Sequence, residues 1–148
     1  MTKHSSPINK TLAEGISKTI KSQCADAYAN YDNGDFKKAL RQFYQAWLLL
    51  PKPQVNYAEA GWVLTGIGDT YFRLQQYQPA CEALRSAQHC GSVKDNPFVE
   101  LRLGQCLCEM EGLPSGRHHL HRAWRLGGQK LFDTEDPRYL DAIKDLLS

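Results

Sequence analysis

The chain has 148 residues, of which 42% are hydrophobic and 23% are charged, a composition typical of one soluble domain with one core. Its 18 basic and 16 acidic residues leave a formal net charge of +2, without the cationic excess that nucleic-acid binding requires. Residues 1–20 contain no apolar run long enough for a secretion signal or a membrane span. We therefore expect a full-length cytoplasmic protein that binds neither nucleic acid nor membrane.

Helical periodicity and helix start signals predict seven helices and no strands. Asp35, Asn96 and Asp136 each precede a helix as N-cap residues, and Thr11 with Glu14 has the spacing of a capping box. The predicted helices cover residues 9–32, 35–50, 54–74, 77–90, 97–110, 115–127 and 136–147.

Proline and glycine residues mark the boundaries of two of these helices. Pro51 and Pro53 follow the second helix and stop it, and Gly91 follows the fourth helix and closes it. Pro79 lies in the first turn of the fourth helix, where its missing N–H group is tolerated. These signals agree with the helix boundaries that the apolar periodicity predicts.

One apolar pattern occurs three times along the chain, starting at Phe36, Tyr77 and Leu113. Small residues lie three positions and ten positions after each start. They are Ala39, Ala80, Gly116, Ala46, Ala87 and Ala123. Small residues at helical spacing allow a neighbouring helix to approach closely. Each copy is therefore predicted to be one helix of a packed pair.

The helix that precedes each copy also has a recurring pattern. Gly68 and Tyr71 before the second copy correspond to Gly104 and Leu107 before the third, and the first copy keeps this pattern only weakly. The chain is thus predicted to be one domain, 1–148, made of three helical hairpins. The hairpins cover residues 17–51, 58–91 and 97–127.

The order of small residues, aromatic residues and alanines in these hairpins resembles the tetratricopeptide repeat. The second hairpin carries it in Gly68, Tyr71, Tyr77, Ala80, Leu84 and Ala87. The first hairpin carries it in Gly34, Asp35, Phe36, Ala39, Phe43, Ala46 and Pro51. The resemblance implies an all-α, right-handed superhelix of three hairpins. We expect residues 1–8 to be flexible and the amphipathic segment 136–147 to cap the third hairpin.

The resemblance also implies that the first helices of the hairpins line a concave groove. The aligned groove positions are Tyr28, Tyr31, Trp62, Thr65, Asp69, Phe72, Arg73, Phe98, Arg102, Gln105 and Glu109. Aromatic and arginine side chains dominate binding energy at protein interfaces, so the expected partner is another protein, with the charged positions fixing its register. The alternative interpretation of Tyr31, Phe72 and Phe98 is that they belong to the core.

No motif in the sequence predicts a catalytic residue, a cofactor or a metal site. His118 and His121 in the sixth helix lie three residues apart, a spacing that allows a shared metal ion. Leu120 and Trp124 define the buried side of this helix, so a solvated basic face attracted to the acidic tail 131–148 is the favoured interpretation. The cysteines are interpreted as reduced packing residues. They are Cys24, Cys81, Cys90, Cys106 and Cys108.

A second resemblance points to a particular role. Residues 96–140 resemble small bacterial tetratricopeptide proteins that serve as immunity partners of secreted polymorphic toxins, which implies that this chain binds and neutralises a toxin effector. Type III secretion chaperones of similar size and generic scaffolds are alternatives, and a small metal-dependent hydrolase is the alternative from another class. Recognition of chaperone tails through a carboxylate clamp is disfavoured, because only Arg102 matches its cationic positions. The partner, the face that binds it and the oligomeric state stay open.

Overall fold

The structure is a computed structural model that describes residues 10–147, so the predicted flexible segment 1–8 lies outside the described residues. Seven α-helices follow one another in the described part of the chain. They are α1 (Glu14–Asp32), α2 (Phe36–Leu48), α3 (Ala58–Arg73), α4 (Tyr77–Gln88), α5 (Pro97–Glu111), α6 (Leu113–Gly127) and α7 (Pro137–Asp141). Residues 10–147 form no β-strand, apart from one isolated bridge between Lys10 and Tyr57. The all-α fold class is confirmed.

The first six helices pack as a stack of hairpins. Helix α1 packs against α2, α3 against α4 and α5 against α6, and contacts of α2 with α3 and of α4 with α5 join successive hairpins. One core cluster extends through the stack from α1 to α5, and a second core cluster joins α5, α6 and the C-terminal segment. No hairpin buries its apolar surface alone, which is the organisation of a helical superhelix.

Small residues allow the two helices of a hairpin to approach closely, as the repeated pattern predicts. The alanines of the pattern, such as Ala80 and Ala123, are fully buried. A Cβ atom added to Gly116 in α6 would lie 2.2 Å from the carbonyl oxygen of Gly104 in α5. Because that oxygen belongs to the backbone, it cannot move aside, and only glycine fits at this crossing.

Three of the predicted helix caps are present in the structure. The side chain of Asp35 accepts a hydrogen bond from the backbone N–H of Lys38 at 3.2 Å. The side chains of Asn96 and Asp136 accept hydrogen bonds from backbone N–H groups in the first turns of α5 and α7. Each cap satisfies a donor that the helix cannot satisfy internally.

The N-terminal helix is shorter than predicted. It was predicted over 9–32 with a capping box at Thr11, but α1 begins at Glu14, and no side chain caps its N-terminus. The preceding chain is extended, since the backbone N–H of Lys10 donates to the carbonyl oxygen of Asn56 at 2.7 Å. This tertiary hydrogen bond holds residue 10 outside any helix.

Two predicted boundaries in the second hairpin are also wrong. The third helix was predicted from residue 54, but 54–56 form a 3₁₀ turn, and Tyr57 is extended at φ −110° and ψ 142°, so α3 begins at Ala58. Gly91 does not close α4. That helix ends at Gln88, and Gly91 begins a second 3₁₀ turn.

The boundaries after α5 differ from the prediction as well. Helix α6 begins two residues before 115, because Pro114 occupies its second position, where no backbone donor is required. The predicted helix 136–147 is interrupted: α7 ends at Asp141, and a 3₁₀ turn, Lys144–Leu146, follows Ile143. Ile143 is nevertheless fully buried in the second core cluster, so this segment does pack onto the third hairpin.

Candidate protein-binding face

The predicted groove positions fall on one side of each first helix. From Trp62 to Arg73, α3 advances eleven residues, which is about three complete turns, so both side chains lie on the same side of the helix, roughly 16 Å apart along its axis. Phe98 and Glu109 have the same separation on α5. Asp69 lies on the α3 stripe between Trp62 and Arg73.

Hydrogen bonds connect these stripes across the three helices. The Tyr31 hydroxyl of α1 donates to Oδ1 of Asp69 in α3 at 2.8 Å, and Nε of Arg102 in α5 donates to the same oxygen at 2.9 Å. Nη1 of Arg102 donates to Oε1 of Gln105 and to Oε1 of Glu135, both at 2.7 Å. We call Tyr31, Asp69, Arg102 and Glu135 the ladder, and the side of α1, α3 and α5 that carries it the ladder face.

The centre of the ladder is buried. Asp69 is 2% exposed and Arg102 is 3% exposed. The Arg102 guanidinium lies between two aromatic rings, 4.5 Å from the ring centroid of Phe72 and 4.8 Å from that of Phe98. Burial would lower the pKa of Arg102, but the charges of Asp69 and Glu135 outweigh burial and raise this pKa above its ordinary value. Arg102 is therefore a permanent cation at the centre of the face.

The two carboxylates that share Arg102 differ in the balance between burial and charge. Burial raises the pKa of Asp69 above its ordinary value, although Arg102 and Tyr31 act in the opposite direction. Burial also acts to raise the pKa of Glu135, but the charge of Arg102 and the hydrogen bonds from Gln105 and Arg102 lower this pKa below its ordinary value. Burial together with the charge of Asp69 raises the pKa of the Tyr31 hydroxyl to about 12.

The Trp62 end of the ladder face is open to solvent. Trp62 is 40% exposed, and Nζ of Lys21 lies 5.6 Å from the centroid of its ring. Thr65, one turn further along α3, donates its hydroxyl to the carbonyl oxygen of Gly61 at 2.7 Å. The indole surface is therefore available for a contact outside the chain.

Arg73 is exposed at the opposite end of the α3 stripe. Its guanidinium lies 5.5 Å from the ring centroid of Tyr31 and 5.1 Å from that of Phe36, and it forms no ion pair with any residue from 10 to 147. Tyr28 packs edge to face on Tyr31 and Phe43, at centroid distances of 5.5 and 4.9 Å. Aromatic rings thus hold the Arg73 cation in place, while its hydrogen-bond donors remain free for an anion.

The C-terminal segment covers the α5 end of the ladder face. Glu109 accepts a hydrogen bond from the Tyr139 hydroxyl at 2.6 Å and forms an ion pair with Arg138. A pocket of about 280 Å³ lies beside this contact, between the end of α3, the start of α4 and residues 134–139. Arg73 and Glu135 both line this pocket.

The structure brings most of the predicted groove residues into one cluster around Arg102. This cluster contains Tyr28, Tyr31, Asp69, Phe72, Arg73, Phe98 and Gln105. Glu109 lies one turn further along α5, and Trp62 and Thr65 lie toward the other end of the face. Glu135, Arg138 and Tyr139 also belong to this face, although the repeat pattern does not predict them there. The acidity of the tail is a signal for Glu135 alone, and the amphipathic pattern of 136–147 predicts a capping segment without assigning it to this face.

The basic residues of α6 are only partly the solvated face that was predicted. Nδ1 of His119 lies 2.8 Å from Oε1 of Glu100, and Nε of Arg122 donates to Oε2 of the same buried carboxylate at 3.2 Å. The predicted attraction to the tail is confirmed for Arg117, whose Nη2 donates to Asp145 at 2.7 Å. Between residues 10 and 147, no group of three or more His, Cys, Asp or Glu side chains is placed to hold a metal ion.

Comparison with solved structures identifies the fold. The chain is similar to the Yersinia enterocolitica type III secretion chaperone SycD in complex with a peptide of the translocator YopD, with a TM-score of 0.68 at 17% identity, covering 90% of this chain and 96% of that one. It is also similar to the first TPR domain of Spaghetti (RPAP3) bound to an HSP90 peptide, with a TM-score of 0.68 at 14% identity, covering 89% and 98%. The fold is tetratricopeptide-like.

A second structure of SycD gives a TM-score of 0.66 at 17% identity and covers 87% of this chain and 90% of that one. The sequence itself matches no protein-family model and no curated protein. At these identities the likeness establishes the tetratricopeptide-like fold alone. No helix within residues 10–147 combines the length and apolar character needed to cross a bilayer.

Proposed function

We propose that the chain is a non-enzymatic interaction module that binds a segment of another protein on its ladder face. The observation that carries this proposal is the exposure of two side chains on one stripe of α3. Trp62 is 40% exposed, and Arg73 is exposed without an ion-pair partner in the described part of the chain. Tryptophan and arginine are the residue types that most often dominate binding energy at protein interfaces.

The buried ladder supports this proposal because it makes the face rigid before a partner arrives. Asp69 and Arg102 join α3 to α5, and Tyr31 joins α1 to both. A preorganised surface loses little conformational freedom on binding, so more of the contact energy appears as affinity. The fold likeness gives further support, since two of the similar structures, those of SycD and RPAP3, contain peptides of other proteins.

Two more specific roles are compatible with this proposal, and the identity of the partner distinguishes them. The resemblance of residues 96–140 to bacterial immunity proteins supports neutralisation of a toxin effector in the cytoplasm. The likeness to SycD, which covers 90% of the chain, supports a secretion chaperone equally well. Affinity capture from the native host followed by mass spectrometry identifies the partner. A captured enzyme that equimolar chain inhibits indicates immunity, whereas a captured secretion substrate that the chain only keeps soluble indicates a chaperone.

Substitutions on the ladder face test the binding surface. We expect Trp62→Ala and Arg73→Glu each to weaken binding of the captured partner by about 2 kcal/mol, or roughly 30-fold, as measured by isothermal titration calorimetry. Tyr44→Ala and Arg41→Glu are matched controls, because both residues are exposed on α2 and away from the α3 stripe. Equal loss of affinity in the α2 variants, or full affinity in both α3 variants, would contradict the proposal.

A further inference from the structure

Residues 133–136 lie across the Arg102 end of the ladder face without any backbone hydrogen bond to it. The backbone bonds of this region are local: Asp133 N–H donates to Lys130 at 3.2 Å, and Glu135 N–H donates to Phe132 at 3.0 Å. Within residues 10–147, no backbone hydrogen bond joins this loop to α1, α3 or α5. Side-chain contacts alone therefore hold the loop on the face.

Glu135 supplies the side-chain contact at the centre of the ladder. Its Oε1 accepts hydrogen bonds from Nη1 of Arg102 and from Nε2 of Gln105, both at 2.7 Å, and its side chain is only 15% exposed. This is how a bound acidic side chain would be held, with one cation and one amide donor converging on one carboxylate oxygen. The chain thus occupies this subsite with its own residue.

The rest of the loop is arranged so that it can leave the face. Asp133, Thr134 and Asp136 are exposed, whereas Phe132 and Tyr139 on either side are buried in the second core cluster. The loop can therefore move away between two fixed anchors without taking an apolar side chain of its own out of the core. Its departure would uncover Arg102 next to the pocket that Arg73 also lines.

We infer that Glu135 is an internal ligand, and that the partner binds through an acidic segment whose carboxylate replaces Glu135 on Arg102 and Gln105. A second carboxylate of that segment pairs with Arg73, the exposed cation in the wall of the same pocket. This inference rests on the proposed function and specifies the chemistry of its partner. The internal ligand lowers the apparent affinity in proportion to the fraction of time it covers the site, so only a partner with complementary charge displaces it.

A peptide with the sequence of residues 130–141, carrying a fluorescent label, is the probe for this inference. Fluorescence anisotropy measures its affinity for the full chain and for the Glu135→Gln and Glu135→Ala variants. We expect both variants to bind the peptide at least about tenfold more tightly than the wild-type chain, because the internal competitor is weakened. A peptide with glutamine in place of its own glutamate should lose this gain.

Asp133→Asn is the matched control, since it removes the same charge from an exposed residue of the same loop. Affinity of this variant within about threefold of the wild-type value is expected. Circular dichroism verifies that each variant is folded, and the near-isosteric Glu135→Gln carries the test if Glu135→Ala does not fold. Equal affinity of wild-type chain, Glu135→Gln and Asp133→Asn, or no binding to any of them, overturns the inference.

Hydrogen exchange of the wild-type chain gives a second readout. With saturating peptide, the amide of Glu135 should exchange faster, because release of the Glu135 side chain from Arg102 and Gln105 loosens the local turn in which this amide donates to Phe132. Unchanged or slower exchange at this amide contradicts displacement. The proposed function is tested separately by partner capture with Trp62→Ala and Arg73→Glu. If these variants abolish capture while Glu135→Gln leaves peptide affinity unchanged, the proposed role of Glu135 is contradicted and the proposed binding face is supported.

Discussion

The two ends of the ladder face use similar residue types in different environments. At one end Arg102 is buried between Phe72 and Phe98 and shared by two carboxylates. At the other end Trp62 is 40% exposed, with Lys21 above its ring. Both ends belong to the ladder face, Arg102 on α5 and Trp62 on α3. The difference comes from the C-terminal loop, which covers α5 and does not reach the start of α3.

Position in the repeat therefore does not determine how much a charged side chain contributes to the stability of the fold. A charge that is buried together with its partners destabilises the fold strongly when one partner is removed, because the others remain desolvated. An exposed charge exchanges its partner for water at little cost. Arg102 and its buried partners are therefore expected to govern stability, whereas the exposed side chains Trp62 and Arg73 are expected to contribute to binding with little effect on stability.

The largest effect is expected at the centre of the closed end. Arg102→Met leaves Asp69 and Glu135 without their cation, and we expect it to lower the free energy of unfolding by about 3–5 kcal/mol. Urea denaturation followed by circular dichroism measures the change. Arg73→Met is the control and should lower the free energy of unfolding by only about 1 kcal/mol, because Arg73 is exposed and loses only cation–π contacts. Similar losses in the two variants would remove the distinction between buried and exposed charges on this face.

An intermediate effect that depends on pH is expected at Glu135. Its folded-state pKa lies below the ordinary value, so its ionised form stabilises the fold above the unfolded-state pKa of about 4.3. This contribution is lost as the pH falls through the lowered folded-state pKa. At pH 7 the wild-type chain should be about 2 kcal/mol more stable than Glu135→Gln, from the loss of charge-assisted hydrogen bonds.

Thermal unfolding of the wild-type chain and Glu135→Gln at a series of pH values measures this difference. The melting temperatures of the wild-type chain and Glu135→Gln, plotted against pH, should converge in acid and stay separated from about pH 5 upward. Asp133→Asn should follow the wild-type curve throughout. A separation that persists unchanged in strong acid would show that the ionised carboxylate is not its source.

A smaller effect is expected where the ladder reaches α1. Tyr31→Phe removes the hydroxyl that donates to Asp69 at 2.8 Å but leaves the bond from Arg102 in place, so we expect a loss of about 1 kcal/mol. Tyr44→Phe is the control, because its hydroxyl pairs with that of Tyr71 at an exposed position. Urea denaturation measures the free energy of unfolding of both variants. A larger decrease for Tyr44→Phe than for Tyr31→Phe would show that the ladder contributes less to stability than the exposed tyrosine pair does.

The smallest effect is expected at the open end. Lys21→Ala removes the cation above Trp62, and an exposed cation–π contact contributes about 0.5 kcal/mol, at the lower end of its usual range. Urea denaturation should therefore show a nearly unchanged free energy of unfolding, whereas affinity for an acidic partner segment should fall. A loss of stability close to that of Arg102→Met would show that this end is not open in solution.

Much of the fold could be predicted from the sequence because its signals are local. The starts of three helices are marked by N-cap residues that bond to the first turn, namely Asp35, Asn96 and Asp136. The spacing of alanine and glycine predicts which helices cross closely. Helix boundaries that depend on distant contacts were predicted wrongly. The start of α1 is one of these, since Lys10 is held by the carbonyl oxygen of Asn56.

Part of the candidate face could likewise be predicted from local sequence signals, and part could not. The 3.6-residue period places Trp62, Asp69 and Arg73 on one side of α3, so their common stripe could be derived without coordinates. The contact of Glu135 with Arg102 spans 33 residues and belongs to a loop, where no period constrains which way a side chain points. The acidity of the tail predicts an attraction to α6, but within residues 131–147 only Asp145 forms an ion pair with that helix.

The sequence alone determined that the chain forms stacked helical hairpins, since periodicity, caps and small residues are properties of short segments. Which part of the ladder face is covered depends on contacts between distant parts of the chain. That outcome depends on where the chain goes after α6 and on Glu135 reaching a cation in α5. The physical reason is that a helix specifies its own faces through local geometry, whereas burial of a charge is decided by residues far away along the chain.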